Sequence, residues 1–142
     1  MVKQLDPGIA NEILALIKQG FALTKQGDFG TAETYYLSAW EKIPEPKFSW
    51  DVSESTLRSV ARFYRNAGRF AEAKAWMKKL FDSGSVAPYD AEPYLLLGTI
   101  HYEAGELDLA RKYLQEADRI SKGRAFQDQD PKYYKFLKEK RK

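Results

Sequence analysis

The chain carries, at residues 94–114, the stretch YLLLGTIHYEAGELDLARKYL, in which three small residues stand at fixed distances. Gly105 follows Gly98 after seven residues, and Ala110 follows Gly105 after five. The same order occurs twice upstream, at Gly20, Gly27 and Ala32 and at Ala61, Gly68 and Ala73. Successive copies are offset by 41 and then 37 residues. A pattern that recurs in register indicates a chain built from repeated structural units.

Each copy predicts a pair of helices that pack closely together. A small residue such as Gly20, Ala61 or Gly98 lets the second helix approach the first. The glycine between the two helices can adopt a positive φ without steric cost, so it ends the first helix. Apolar residues at helical spacing fill both helices. One pair cannot bury both of its apolar stripes, so about three stacked pairs are needed, and the sequence predicts an all-α fold.

The three copies resemble the tetratricopeptide repeat, whose consensus W-x2-L-G-x2-Y, A-x3-F and P spans about 34 residues. The matching positions are Leu16, Gln19, Gly20, Leu23, Ala32, Tyr36 and Pro44, then Leu57, Val60, Ala61, Tyr64, Ala73 and Met77, then Tyr94, Leu97, Gly98, His101, Ala110 and Leu114. The resemblance implies repeats at about 13–46, 54–87 and 91–124, wound into a right-handed α–α superhelix. Residues inserted near 47–53 and 88–90 account for the longer spacings. We expect one domain over residues 1–142, because this length can bury a continuous core.

Four aspartates predict helix starts. Asp6 precedes Pro7 and opens a first helix over residues 7–26. Asp51 with Glu54 is a variant of the capping box and opens the third helix. Asp90 opens the fifth helix and Asp130 opens the last. Gly84 and Gly123 are expected C-caps, and residues 44–50, with two prolines, predict a loop in which Phe48 and Trp50 tuck against the repeat.

The last predicted helix, residues 131–140, has an apolar side and a basic side. Its apolar residues Tyr133, Phe136 and Leu137 would seal the last repeat, and terminal repeats need such a cap. Basic side chains between residues 131 and 142 are Lys132, Lys135, Lys138, Lys140, Arg141 and Lys142. Such a cluster could contact nucleic acid or an anionic membrane. Cations late in a helix also suit its dipole, so we expect a capping helix.

The composition narrows the classes of function. The net charge is +3, there is no cysteine, and no apolar run approaches 18 residues. Disulfides and thiolate metal sites are therefore excluded, and no membrane partner is expected. The first six residues lack the apolar core of a signal peptide, so cytoplasmic localisation is expected.

The residue inventory argues against an enzyme. The single histidine, His101, occupies a position where the repeat places a packing aromatic residue. Neither a phosphate-binding glycine loop nor metal-ligand spacing is present. We therefore expect no catalytic residue, no metal, no cofactor and no small-molecule substrate.

The partner-binding residues are predicted on the first helix of each pair, because in the family these helices line a concave groove. At 100° per residue, Arg58, Arg62 and Arg65 share a face about 60° wide. This face lies beside the packing stripe, which consists of Leu57, Val60, Ala61 and Tyr64. Equivalent offsets, with flanking positions, give the candidate set Leu14, Ile17, Phe21, Lys25, Arg58, Arg62, Arg65, Leu95, Thr99 and Tyr102. The groove is thus expected to be apolar in the first repeat, basic in the second and mixed in the third.

This pattern favours a non-catalytic module that binds an acidic segment with apolar anchors, as an extended peptide, a helix or a small domain. Three alternatives stay open. The arginines could serve only to solvate an exposed face or to pair with neighbouring acids. The chain could be a dedicated inhibitor or chaperone of one partner, such as a toxin immunity protein or a secretion chaperone. It could instead form a homo-oligomeric scaffold through the aromatic residues Tyr35, Trp40, Phe48 and Trp50. A nucleic-acid partner is disfavoured because the chain outside residues 131–142 is mildly acidic.

Overall fold

A computed structural model describes residues 2–139, and this part of the chain forms seven α-helices, one 3-10 turn and no β-strand. The helices are α1 Pro7–Lys25, α2 Phe29–Glu41, α3 Ser53–Asn66, α4 Phe70–Asp82, α5 Glu92–Glu103, α6 Leu107–Ser121 and α7 Pro131–Lys138, with the 3-10 turn at Arg124–Phe126. Two compact units are formed, Met1–Ser85 and Val86–Lys142. The predicted all-α fold is confirmed, whereas the superhelix and the single-domain organisation stay predictions.

The first unit consists of two helical hairpins, α1 with α2 and α3 with α4, and α3 also contacts both helices of the first hairpin. Aromatic rings join the hairpins. The Tyr36 ring stacks on Phe63 with centroids 4.9 Å apart, and the Trp40 ring meets Trp76 edge-on at 5.5 Å. Apolar side chains that are completely buried in this unit include Leu57, Val60, Met77 and Leu80. The stripe predicted on α3 therefore faces the core.

The glycines between paired helices have the predicted backbone conformation. Gly27, Gly68 and Gly105 have φ values of 83°, 76° and 80°. An L side chain is strained in this region, and glycine is not. Gly84 has φ 75° just after the end of α4, as expected for a glycine at a helix C-terminus. At the end of α6 the C-cap is instead Lys122, with φ 54°, and Gly123, with φ 85°, follows it and precedes the 3-10 turn.

Two of the four predicted aspartate caps, those of α1 and α7, are confirmed. The Asp6 carboxylate accepts a hydrogen bond from the Ile9 amide at 3.2 Å, and α1 begins at Pro7. Asp130 accepts the Lys132 amide at 3.0 Å at the start of α7. Asp90 also accepts the Glu92 amide, at 3.1 Å, but the N-cap residue of α5 is Ala91, so Asp90 lies one residue before the predicted position. Each bond satisfies an amide that has no partner within its helix.

The prediction that Asp51 caps α3 is wrong. Helix α3 begins at Ser53 after Val52, and within the described residues no side chain caps it. The Asp51 carboxylate instead accepts the Leu5 amide at 3.0 Å. Backbone bonds of 2.8 Å from Lys3 to Ser49 and from Asp51 to Lys3 bring the N-terminal segment alongside the loop. The local pattern assigned the Asp51 carboxylate to the start of α3, but this carboxylate therefore binds an amide that is distant in sequence.

The loop between the hairpins is folded against the first unit, as predicted. The Phe48 ring lies 5.5 Å from Trp40, and the Trp50 indole donates to the Pro44 carbonyl at 2.9 Å. The Lys47 ammonium donates to the carbonyls of Trp40 and Ile43 at 3.0 and 2.7 Å. These carbonyls lie at the C-terminus of α2, where a cation is favoured.

The second unit contains the hairpin of α5 and α6, the 3-10 turn and α7. Tyr133 and Leu137 of α7 join a buried cluster that also contains Leu95, Leu114 and Phe126. The Arg111 guanidinium donates to the carbonyls of Phe136 and Leu137 at 3.3 and 3.2 Å, which secures the end of α7. The predicted packing of α7 against the last repeat is confirmed. Lys140, Arg141 and Lys142 lie outside the described residues.

Candidate partner-binding site

A pocket of about 130 Å³ opens in the first unit between α1 and α3. It is lined by Ile17, Phe21, Thr24, Tyr36, Ser59, Arg62, Phe63 and Asn66. The first helices of two successive predicted repeats thus contribute to one site. Ile17, Phe21 and Arg62, which were predicted from two different copies of the repeat, lie together.

The α1 side of this site is apolar and accessible. Phe21 is 51% exposed and Ile17 is half-buried, whereas Leu14, which is 49% exposed, does not line the pocket. The ammonium group of Lys25 lies 4.7 Å from the centre of the Phe21 ring, within the range of a cation–π contact. Two large apolar side chains that are half exposed on one helix offer area that a partner can bury.

The floor of the pocket is aromatic. Tyr36 is buried and stacks on Phe63, so the floor is held by packing between α2 and α3. Burial raises the pKa of Tyr36, while its hydrogen bond with Thr24 and the nearby positive charge of Arg62 act in the opposite direction.

The three arginines of α3 occupy different surroundings. Arg62 lines the pocket, whereas Arg58 lies beside Glu54 with its Nε 3.9 Å from the carboxylate. Arg65 donates from Nε to the Asn66 side chain at 3.0 Å. All three are partly buried, and none is sealed in the core. Of the three, Arg62 is the arginine that lines this pocket.

The pocket-facing side of α3 is rotated from the predicted arginine face. Ser59, Arg62, Phe63 and Asn66 follow i, i+3, i+4, i+7 spacing and centre about 90° from Arg58 around the helix. The predicted face centred close to Arg58 itself. Phe63, a large aromatic residue outside the predicted packing stripe, lies on the pocket-facing side.

Two candidates from the third copy are core residues. Leu95 is 2% exposed and belongs to the buried cluster of the second unit, and Thr99 is completely buried. The expectation of an open face is wrong at these two positions, because α5 is buried on nearly all sides from Leu95 to His101. Tyr102 is half-buried, with its ring 5.1 Å from Phe136 of α7. Partner contact by the ten candidate residues stays a prediction.

His101 has the surroundings of a packing residue. It is 7% exposed, its ring stacks on Tyr113 at 5.5 Å, and its Nδ1 lies 2.9 Å from the Glu106 carboxylate. In residues 2–139, histidine and acidic side chains do not gather in threes as a metal ion would require. Over the same residues, no helix is both long and apolar enough to cross a bilayer.

The comparison with protein families identifies two segments of the chain. Residues 55–83 and residues 91–123 each match a family model described as a tetratricopeptide repeat. They coincide with the second and third copies, and hence with the hairpins α3–α4 and α5–α6. The curated proteins contain no significant match to the chain.

Proposed function

Because the chain is a tetratricopeptide repeat protein, we propose that it is a non-catalytic interaction module whose pocket between α1 and α3 receives an acidic partner segment with an apolar anchor. Tetratricopeptide repeats generally mediate protein–protein interactions. The acidic character of the segment and the use of this pocket are the specific parts of the proposal.

The observation that carries the proposal is the juxtaposition of Phe21 and Arg62 at one pocket. An apolar side chain of the partner would cover the exposed ring of Phe21 and gain the free energy of apolar burial. A carboxylate next to that side chain would meet Arg62, whose guanidinium fork suits planar anions. Arg58 and Arg65 on the same helix add positive potential, which favours the approach of an acidic chain.

The non-catalytic part of the proposal rests on the family and on His101. This side chain is held between Tyr113 and Glu106 in the core of the second unit, where a substrate would not reach it. A protein partner therefore remains the ligand class with physical support.

The scaffold alternative has less support. Trp40 is 9% exposed and contacts both Phe48 and Trp76, so most of its surface is already covered. Light scattering over a range of protein concentrations would detect self-association. A dedicated inhibitor or chaperone would use the same pocket for a single partner, so it remains compatible with the proposal.

The test is capture of partners from the native cell lysate by the full chain and by two charge-reversal variants. Arg62→Glu should lose the partner, while Lys18→Glu, an exposed lysine on α1, should retain it. Phe21→Ala should weaken capture without lowering the melting temperature, because the ring is half exposed. Circular dichroism should show unchanged helicity in all three. Retention of the partner by the double variant Arg62→Glu with Arg65→Glu would refute the proposed site.

A further inference from the structure

A second pocket, of about 510 Å³, lies in the second unit where the 3-10 turn meets α7. It is lined by Gly123, Phe126, Gln127, Gln129, Pro131, Tyr134, Lys135 and Lys138. Its volume falls in the range of ligand-binding pockets, but one side is open to solvent. Phe126 belongs to the buried cluster that α7 completes, and Tyr134 packs against that cluster, so the pocket borders the capping contacts on a side open to solvent.

The floor of this second pocket is a fixed aromatic pair. Phe126 is 6% exposed, and its ring centre lies 4.9 Å from that of Tyr134. Gly123 has φ 85°, and a Cβ at this position would lie 3.3 Å from the Tyr134 hydroxyl. A side chain at residue 123 would therefore be strained and would also crowd the tyrosine. The glycine permits the ring to lie where it forms the pocket floor.

The lysines of α7 differ in their surroundings. The Lys132 ammonium pairs with Glu103 at 2.9 Å, and that of Lys138 pairs with Asp118 at 3.1 Å. Lys135 lines the pocket and is exposed, and among the described residues its ammonium has no carboxylate partner. The aromatic floor thus has one available cation beside it, together with the amide groups of Gln127 and Gln129.

We propose that this second pocket is a separate protein-docking site that receives an aromatic side chain carried by an acidic peptide segment. The half-buried ring of Tyr134, supported by the buried ring of Phe126, offers an aromatic contact surface, since aromatic pairs gain energy beyond area burial. The Lys135 ammonium and the Gln127 and Gln129 amides can meet carboxylates on either side of the inserted ring. Because the pocket is open on one side, it suits a side chain of a larger partner.

The charge distribution favours a peptide over nucleic acid. A nucleic-acid surface needs several cations that neutralise successive phosphates. On the described part of α7, Lys132 and Lys138 already have carboxylate partners. Lys135, next to the aromatic floor, can bind one carboxylate while the floor contacts an aromatic ring, and an acidic peptide with an aromatic residue offers both groups.

The test is an NMR titration of the ¹⁵N-labelled full chain with an acetylated, amidated Glu-Glu-Phe-Glu-Glu peptide. Amide shifts are expected at Gln127, Gln129 and Lys135. Replacing the phenylalanine of the peptide by alanine should abolish these shifts. Lys135→Glu replaces a positive charge by a negative one at an exposed site, so the residue would repel the glutamates of the peptide. Binding should weaken about tenfold.

Two further variants separate this pocket from the first site. Lys112→Glu, an exposed lysine on α6, and Arg62→Glu should both leave the shifts at Gln127 and Gln129 unchanged. Absence of these shifts in the unmodified chain, or shifts of equal size in Lys135→Glu, would overturn the second docking site. Loss of the shifts in Arg62→Glu would also overturn it, because the peptide would then act through the pocket between α1 and α3.

Discussion

Gly98 lies directly against Leu114 of the facing helix. A Cβ at residue 98 would lie 2.7 Å from the Cγ and Cδ2 atoms of Leu114 and 3.1 Å from its backbone nitrogen. The first hairpin repeats this relationship, since a Cβ at Gly20 would lie 2.7 Å from the Tyr36 ring. Paired helices in both units therefore approach to a distance that a larger residue would not allow. At Gly98 the atoms that a Cβ would meet include the backbone nitrogen of Leu114, which cannot move aside as a side chain can.

Gly98→Ala should destabilise the chain although alanine is the better helix former. Overpacking costs about 1–3 kcal/mol, which exceeds the gain of about 0.5–1 kcal/mol in helix propensity. Urea unfolding followed by circular dichroism measures the difference. Gly30→Ala is the matched control, because among the described residues nothing lies within 4 Å of a Cβ built there, so this variant should keep or gain stability. Equal stability of Gly98→Ala and the parent would contradict the close approach.

Glu33 joins three helices of the first unit through its carboxylate. The Tyr64 hydroxyl donates to it at 2.7 Å, and the Arg69 guanidinium, just before α4, pairs with it at 2.9 Å. The hydrogen bond from Arg69, followed by that from Tyr64, lowers the pKa of Glu33 below its ordinary value of 4.5. The same carboxylate adds to the effect of burial and raises the pKa of Tyr64.

Stability should therefore fall in acid partly through Glu33. On acidification the unfolded chain takes up the proton first, so the contribution is complete above pH 4.5 and is lost as pH falls through the lower folded pKa. Glu33→Gln should lower the free energy of unfolding by about 1 kcal/mol at neutral pH, because the substitution weakens a charge-assisted hydrogen bond. The decrease should be smaller at pH 3. Urea unfolding between pH 3 and 7 measures this, with the exposed Glu41→Gln as control. A cost that stays constant with pH would count against the assigned role.

Lys47→Met should loosen the end of α2. The substitution keeps the apolar stem and removes the ammonium that bonds the carbonyls of Trp40, Glu41 and Ile43. The expected loss is about 1–2 kcal/mol, because hydrogen bonds from charged donors exceed neutral ones. Faster amide hydrogen exchange at Ile43 and in the last turn of α2 should accompany the lower urea midpoint. Lys42→Met, whose ammonium is half exposed beside Glu12, should change both quantities much less.

Much of the helical framework could be predicted from local patterns. Gly27, Gly68 and Gly105 indicated three turns, and Gly20 and Gly98 indicated two close approaches, because each feature depends on the absence of a side chain at one position. Asp6 and Asp130 were predicted as caps because a cap and its helix are adjacent in sequence. Asp51 followed the same local pattern and was mispredicted, since its donor, the Leu5 amide, is 46 positions away.

The candidate site was harder to predict, because it depends on how each helix is turned toward its neighbours. Ile17, Phe21 and Arg62 were identified, but Ser59, Phe63 and Asn66 were missed. The pocket-facing side of α3 is set by simultaneous contact with α1, α2 and α4. A single-helix projection includes only one packing stripe, so the arginine face that it gives lies about 80° around the helix from the side that lines the pocket.

The amino-acid sequence by itself determined where the helices end and how closely paired helices approach. It also determined that similar helical pairs follow one another along the chain. These properties belong to single residues and short spacings. Tertiary structure alone decided which arginine reaches the pocket, that Leu95 and Thr99 are buried, and that α7 leaves an aromatic pocket beside Lys135. Burial and facing direction depend on packing between segments distant in sequence, which no local pattern records.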